Sequence, residues 1–172
     1  MKTASMPTRT PKNRGFTLIE MMIAITVAGI LLMIAVPSFR NASLSSQLRS
    51  AANDFIASTN LARSEAIKRG TAVTMCVSTD GSSCAAGGWE QGWIVSSGTT
   101  VLQHESAAPS GFKMSATGSI ANLSFQPIGV GATPATLTVC RATPSVGSQE
   151  RVVTLDATGR AWLKITTNGV CS

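Results

Sequence analysis

Apolar and polar positions change their period along the chain and predict a long helix followed by strands. Residues 16–39 are apolar and almost uncharged, and they are long enough to cross a bilayer as a helix. Between residues 44 and 67 apolar side chains recur at spacings of three, four or seven, which is one face of an amphipathic helix. Lys68 and Arg69 suit the last turn of a helix, and Gly70 suits the position after it. The pattern therefore predicts one helix over residues 16–69.

Beyond Gly70 the pattern changes to short β-type segments separated by turn residues. The segments rich in Gly, Pro, Ser and Ala at 106–119 and 127–134 are predicted to be loops, and His104 is assigned to a Gln-His-Glu-Ser loop. The fold class that follows is α+β, with the outer half of the long helix packed on an antiparallel sheet or pair of sheets. Strands are predicted at residues 71–77, 93–96, 99–103, 123–125, 136–140, 151–155 and 160–165.

The order of charged and apolar residues at the N-terminus is unlike that of a secretory signal peptide. A leader with four basic and no acidic residues is followed by Gly15-Phe16-Thr17-Leu18-Ile19-Glu20. The small residue suited to cleavage, Gly15, precedes the apolar segment, whereas a signal peptide has it afterwards. This order resembles the class III leader of type IV prepilins and pseudopilins. The resemblance implies that a prepilin peptidase cleaves after Gly15 and methylates the new N-terminus, Phe16.

Glu20 and Pro37 are the unusual residues of the apolar segment. A carboxylate deep in a bilayer costs about 2.5–3.5 kcal/mol, so Glu20 should have a partner or reach water. The resemblance implies a partner, the terminal ammonium of a neighbouring subunit's Phe, and thus a role for Glu20 in the register of assembly. Pro37 lacks a backbone donor and predicts a bend.

The charge distribution predicts an orientation. The formal charge is +6, but four of the fourteen Lys and Arg residues lie in the leader. Residues 16–172 therefore contain ten basic and eight acidic residues, a net charge of +2. The basic leader predicts a cytoplasmic N-terminus in the inner membrane and a periplasmic C-terminal part. The expected organisation is a cleaved leader (1–15), a transmembrane and assembly helix (16–39), an amphipathic helix (40–70) and a disulfide-stapled β domain (71–172).

The cysteines predict disulfides. Cys76, Cys84, Cys140 and Cys171 all lie on the predicted outer side of the membrane, and four cysteines allow three connectivities. We favour Cys76–Cys84, closing a hairpin, and Cys140–Cys171, tying the C-terminus to a central strand. A structural metal site is disfavoured because there is no CxxC pair and only one histidine.

Two further stretches narrow the resemblance. Residues 60–70, Asn-Leu-Ala-Arg-Ser-Glu-Ala-Ile-Lys-Arg-Gly, and residues 88–95, Gly-Trp-Glu-Gln-Gly-Trp-Ile-Val, look like the GspH/FimT branch of minor pilins and pseudopilins. Trp89 and Trp93 are interpreted as packing residues rather than as ligand-stacking ones.

The chemistry expected of an enzyme is not apparent. No nucleophile motif, phosphate-binding glycine loop or paired acids accompany the single histidine, so we predict no catalytic residue, cofactor or metal. FimT-type pilins implicated in DNA uptake carry Gly-Arg-x-Arg near the C-terminus. This chain has Gly159 and Arg160, but Trp162 replaces the second Arg. On a strand, Arg160, Trp162 and Lys164 would point to the same face and form a candidate DNA contact. Arg141 and Arg151 would add to this contact if their strands were neighbours of that strand.

Three functions remain open from the sequence. The first is a minor pilin that primes or caps a type IV pilus. The second is a GspH-like minor pseudopilin of a type II secretion system. The third is a DNA-binding minor pilin of natural transformation. The partners implied are other pilins or pseudopilins, the prepilin peptidase, the inner membrane and, for the third function, DNA.

Overall fold

The computed structural model describes residues 15–142 and 150–166. Within these ranges one α-helix, α1 (Leu18–Arg69), precedes eight strands. The strands are β1 (Val73–Val77), β2 (Trp93–Ser97), β3 (Thr100–Glu105), β4 (Phe112–Ala116), β5 (Asn122–Phe125), β6 (Ala135–Arg141), β7 (Glu150–Leu155) and β8 (Ala161–Thr166), with short 3-10 helices at Trp89–Gln91 and Thr117–Ser119. The predicted α+β fold is confirmed.

The contacts divide the chain between Arg40 and Asn41 into two compact units. In the first unit the large apolar side chains are exposed, including Phe16 just before α1 at 78% and Phe39 within α1 at 76%. By length and composition α1 is able to cross a membrane, with a mean hydropathy of 2.5 over its most apolar window. The Thr26 hydroxyl in this segment is satisfied because it donates to the Met22 carbonyl at 2.7 Å.

In the second unit the amphipathic part of α1 supplies one side of the core. Its buried face is Leu48, Ala52, Phe55, Ser58, Thr59, Ala62 and Ala66, which follows the helical period. The helix ends as predicted, because Gly70 takes the left-handed conformation (φ 64°) that commonly follows the last helical residue. Glu65 pairs with Arg69 at 2.5 Å and with Lys68 at 3.4 Å across the last turn.

Two antiparallel four-stranded sheets complete this unit. Their orders are β3-β2-β1-β5 and β4-β6-β7-β8, so the C-terminal strand β8 lies at the edge of the second sheet. One apolar cluster joins α1 to both sheets, through residues such as Met75 on β1 and Val139 on β6.

An aromatic trio lies at the centre of this core. Phe55 of α1 meets Trp89 and Trp93 edge-on, with ring centroids 5.1 and 5.6 Å away. Both indoles are almost fully buried, and each places its N–H on an acceptor, Trp89 on the Ile120 carbonyl and Trp93 on the Ser58 hydroxyl. The interpretation of the two tryptophans as packing residues is confirmed.

Two sequence predictions are wrong. The segment 106–119, predicted to be a loop, contains β4, in which Phe112 and Met114 are buried and Lys113 and Ser115 are exposed. This alternation is that of a strand, but it is short and is flanked by the Gly, Pro and Ser residues that suggested a loop. His104 lies on β3 opposite Ile94 rather than in a loop.

Candidate functional site

The N-terminal motif meets α1 through a helix cap. Gly15, Phe16 and Thr17 precede the helix, and the Thr17 hydroxyl accepts a hydrogen bond from the backbone N–H of Glu20 at 3.3 Å. A Thr followed three residues later by a Glu is the sequence signature of a capping box. The spacing of Thr17 and Glu20 is present in the sequence, but Glu20 was interpreted there as an assembly residue or as a carboxylate that reaches water. The cap fixes the start of the helix just beyond the predicted cleavage point.

Glu20 is exposed, and its carboxylate has no hydrogen bond or ion pair in the part of the chain that the structure describes. Phe16, the predicted methylated N-terminus, is also exposed. Both groups are thus accessible to a molecule other than the chain itself. The roles of Gly15, Phe16 and Glu20 stay predictions.

Pro37 lies inside α1, which continues past it to Arg69. Because proline has no N–H, the carbonyl one turn earlier, that of Met33, loses its helical donor. The bend expected at Pro37 stays a prediction.

The first predicted disulfide is present. Cys76 is buried on β1 and is bonded to Cys84, which lies in the connection that joins β1 to its antiparallel neighbour β2. Cys140 is disulfide-bonded as well, and Cys171, its predicted partner, lies outside the described residues.

The loop closed by this disulfide is organised by Asp80. Its carboxylate accepts hydrogen bonds from the Ser83 hydroxyl at 2.6 Å and from the backbone N–H groups of Ser82 and Ser83 at 2.8 and 2.9 Å. The Ser78 hydroxyl donates a further bond at 3.0 Å. These donors, with the Ser83 hydroxyl first, hold the pKa of Asp80 well below its usual range because they stabilise the charged form.

The C-terminal candidate DNA contact is only partly assembled as predicted. Trp162 and Lys164 are exposed on β8, opposite Thr154 and Val152, and their alternate positions place them on one face of the edge strand. Arg160 is exposed but precedes β8, in the turn after Gly159. It lies in a turn and not on the strand because Asp156 accepts a hydrogen bond from its N–H at 3.0 Å.

The basic surface around β8 is smaller than the sequence suggested. Arg141 is on β6, which is not a neighbour of β8, and it lies over the ring of Phe112. Arg151 is on the adjacent strand β7, but it is only 4% exposed and pairs with Ile165 instead of Trp162 or Lys164. Neither arginine therefore adds to the exposed face of Trp162 and Lys164. The carboxylate of Asp156 reduces the local positive charge further, and Arg160 in turn contributes to a lowered pKa of Asp156, after the bonds from Thr158 and the Arg160 N–H.

No group of three or more His, Cys, Asp or Glu side chains that could hold a metal ion occurs among the residues that the structure describes.

A long helix with an exposed apolar N-terminal part, followed by two antiparallel sheets, is the arrangement of a pilin-like fold. The family described as type II transport protein GspH matches residues 51–159, which is more than half of the chain, and the chain belongs to that family. The prokaryotic N-terminal methylation motif matches residues 10–36. The resemblance proposed from the N-terminal motif and from residues 60–70 and 88–95 is confirmed.

Individual relatives are similar over different parts of the chain. The type IV major pilin PilA of Myxococcus xanthus (strain DK1622) is 62% identical over 29 residues, which cover 17% of this chain and only 13% of that protein. The type IV minor pilin FimU of Pseudomonas aeruginosa (strain PAO1) is 20% identical, with a TM-score of 0.57 over 72% of this chain and 96% of its own. The minor pseudopilin EpsH of Vibrio cholerae is 15% identical, with a TM-score of 0.48 over 72% of this chain and 98% of its own. At 20% identity the FimU structure shows a shared fold.

Proposed function

We propose that the chain is a membrane-anchored minor pilin that primes or caps a type IV pilus. The observation that carries the proposal is the exposure of the apolar side chains of α1 from Leu18 to Phe39. Burial of one large apolar side chain stabilises by about 1.5–3 kcal/mol, so this segment gains strongly from a bilayer or from neighbouring helices. When the helix leaves the membrane for a filament core, its apolar side chains exchange contacts with lipid for contacts with neighbouring helices.

The same proposal includes processing and orientation. A prepilin peptidase cleaves after Gly15 and methylates Phe16, the N-terminus starts on the cytoplasmic side of the inner membrane, and the β domain lies in the periplasm. In the assembled filament Glu20 pairs with the terminal ammonium of a neighbouring subunit and sets the axial register. The carboxylate of Glu20, which is exposed and has no partner within the described residues, supports this assignment, as does the cap at Thr17 that starts the helix just after the predicted cleavage point. We assign no catalytic activity, because the family is one of structural subunits.

A pseudopilin of a type II secretion system is the second candidate. The family description, type II transport protein, favours it, and both systems use the same kind of leader and helix. The deciding experiment deletes the gene in a strain whose filament retraction is also blocked, then counts surface pili and measures secreted proteins. Loss of pili that the wild-type gene restores supports the pilus assignment. Normal pilus numbers together with a loss of secretion would instead assign the chain to the pseudopilus.

DNA binding in natural transformation is the third candidate, and it depends on Arg160, Trp162 and Lys164. The exposed face of Trp162 and Lys164 favours it, because an aromatic ring stacks on bases while a cation contacts phosphate. The test is the gel mobility of DNA with detergent-solubilised full chain at low and high salt, since phosphate contacts weaken steeply with salt. Binding that is lost in the double variant Arg160→Ala, Lys164→Ala supports the role. An unchanged mobility at low salt would remove it.

A further inference from the structure

Arg151 is a buried cation without a carboxylate partner among the described residues. It is only 4% exposed, and its guanidinium donates to the Ser45 hydroxyl at 2.7 Å and to the Glu150 carbonyl at 3.2 Å. Its Nε has no hydrogen-bond acceptor within residues 15–142 and 150–166, and the ion pairs in those ranges both use Glu65 instead. A charge taken out of water in this way is costly unless another charge compensates it. Within the described part of the domain no carboxylate therefore pairs with the buried charge of Arg151.

A second cation shares a helix face with Ser45, the hydroxyl that Arg151 contacts. Arg49 is exposed on α1, one helical turn after Ser45, and the two side chains are on one face of the helix. Burial lowers the pKa of Arg151, and the positive charge of Arg49 lowers it further. We call Ser45, Arg49 and Arg151 the arginine cluster. An anion between its two cations would relieve their repulsion.

An exposed apolar side chain borders the cluster. Ile165 of β8 is the direct partner of Arg151 in the ladder between β7 and β8, and directly opposite residues share a face of the sheet. Ile165 is 56% exposed, although it lies on the face that is buried further along the same strands, at Val153 and Leu155. The cations thus have an uncovered apolar neighbour.

Two of the three cluster residues are close to the apolar segment in the sequence. Ser45 and Arg49 follow Phe39 by six and ten residues in the sequence. Between Phe39 and Asp54 the helix carries Arg40 and Arg49 and no acidic residue. Basic residues just outside a membrane segment are attracted to anionic headgroups.

We propose that the arginine cluster binds the phosphate of an anionic phospholipid headgroup while the subunit is anchored in the membrane. Arg49 donates the direct hydrogen bonds, in the forked geometry that suits phosphate, and Arg151 supplies the buried positive charge behind it. Ile165 contacts the apolar part of the lipid beside the headgroup. Departure of the helix into a filament breaks this contact, so the cluster favours the membrane-resident state. The proposal rests on the membrane anchoring proposed above.

The test measures lipid retention by the full chain in detergent micelles with native mass spectrometry. The probes are phosphatidylglycerol and a diacylglycerol with the same acyl chains. We expect wild type to retain phosphatidylglycerol in preference to diacylglycerol, and Arg49→Gln to lower that retention by about fivefold, the effect of one cation at a membrane surface. Arg160→Gln removes the same charge from an exposed turn elsewhere and should leave retention unchanged. Arg151→Met, checked for folding by circular dichroism, should also lower it.

Three outcomes would overturn the proposal. Equal retention of both lipids would mean that only the acyl chains bind, and equal losses in Arg49→Gln and Arg160→Gln would mean that net charge alone matters. Displacement of the lipid by millimolar inorganic phosphate would assign the cluster to a free anion. Failure of the anchoring itself is distinguishable, because the chain would then be missing from the membrane fraction of cells.

Discussion

Replacement of Phe55 by alanine tests the packing of the amphipathic half of α1 on the sheets. Phe55 is 2% exposed and contacts Trp89 and Trp93 edge-on, so truncation removes a buried ring and leaves a cavity between helix and sheets. Such truncations cost about 3–5 kcal/mol, within which each aromatic contact accounts for about 0.5–1.5 kcal/mol. Domains of this kind are stable by about 5–15 kcal/mol, so the variant should lose a large share of its stability.

The assay is urea unfolding of the full chain in detergent micelles, monitored by circular dichroism in the β region. In thermal unfolding the same loss of free energy should lower the melting temperature by on the order of 10–20 °C. Ile128→Ala is the matched control, because Ile128 is 76% exposed and its truncation should change stability by less than about 0.5 kcal/mol. A loss below about 1 kcal/mol for Phe55→Ala would refute the packing described for α1.

Two further predictions concern polar groups of the domain. Ser58→Ala removes the acceptor of the buried Trp93 N–H and should destabilise the fold by about 1–3 kcal/mol, measured by the same urea unfolding. Asp80→Asn tests the loop carboxylate, whose pKa is lower in the folded state than in the unfolded chain. The ionised carboxylate therefore stabilises the folded state fully above the pKa that Asp80 has in the unfolded chain. This stabilisation is lost as the pH falls towards the pKa of Asp80 in the folded state. The difference in unfolding midpoint between wild type and Asp80→Asn should therefore be constant near neutral pH and shrink below about pH 4.

The Ser58→Ala variant has a control in the same chain. Ser64→Ala removes an exposed hydroxyl that bonds only to the carbonyl one turn back, at Leu61, and should change stability little. A loss for Ser58→Ala no greater than that for Ser64→Ala would contradict the role of the Trp93 bond. For Asp80, a difference from Asp80→Asn that is the same at pH 3 and at pH 7 would contradict the lowered pKa.

The elements with strong local signals could be predicted from the sequence. The end of α1 could be predicted because Lys68 and Arg69 directly precede Gly70, and Gly70 adopts a positive φ in the structure. β4 was missed because its alternation spans only five residues inside a Gly- and Pro-rich stretch. Local composition therefore predicts the ends of helices well and short strands poorly.

The candidate site depended on facts that a sequence does not contain. The order β4-β6-β7-β8 places Arg151 beside β8, but on the opposite face from Trp162 and Lys164, and only the register shows this. The burial of Arg151 against Ser45 joins residues 106 positions apart, which no local pattern predicts. The cap at Thr17, by contrast, lies three residues from Glu20 and was open to sequence reasoning.

Recovery of the chain in sheared filaments tests the central claim most directly. Cells with blocked retraction and the gene deleted would express wild type, Glu20→Gln, or the control Asp54→Asn, which removes an acid from the globular unit instead. Wild type and Asp54→Asn should appear in the sheared filaments, whereas Glu20→Gln should insert into the inner membrane and remain there. Equal recovery of Glu20→Gln and wild type would contradict the account of Glu20 in assembly, and absence of wild type from every filament fraction would contradict the assignment of the chain as a filament subunit.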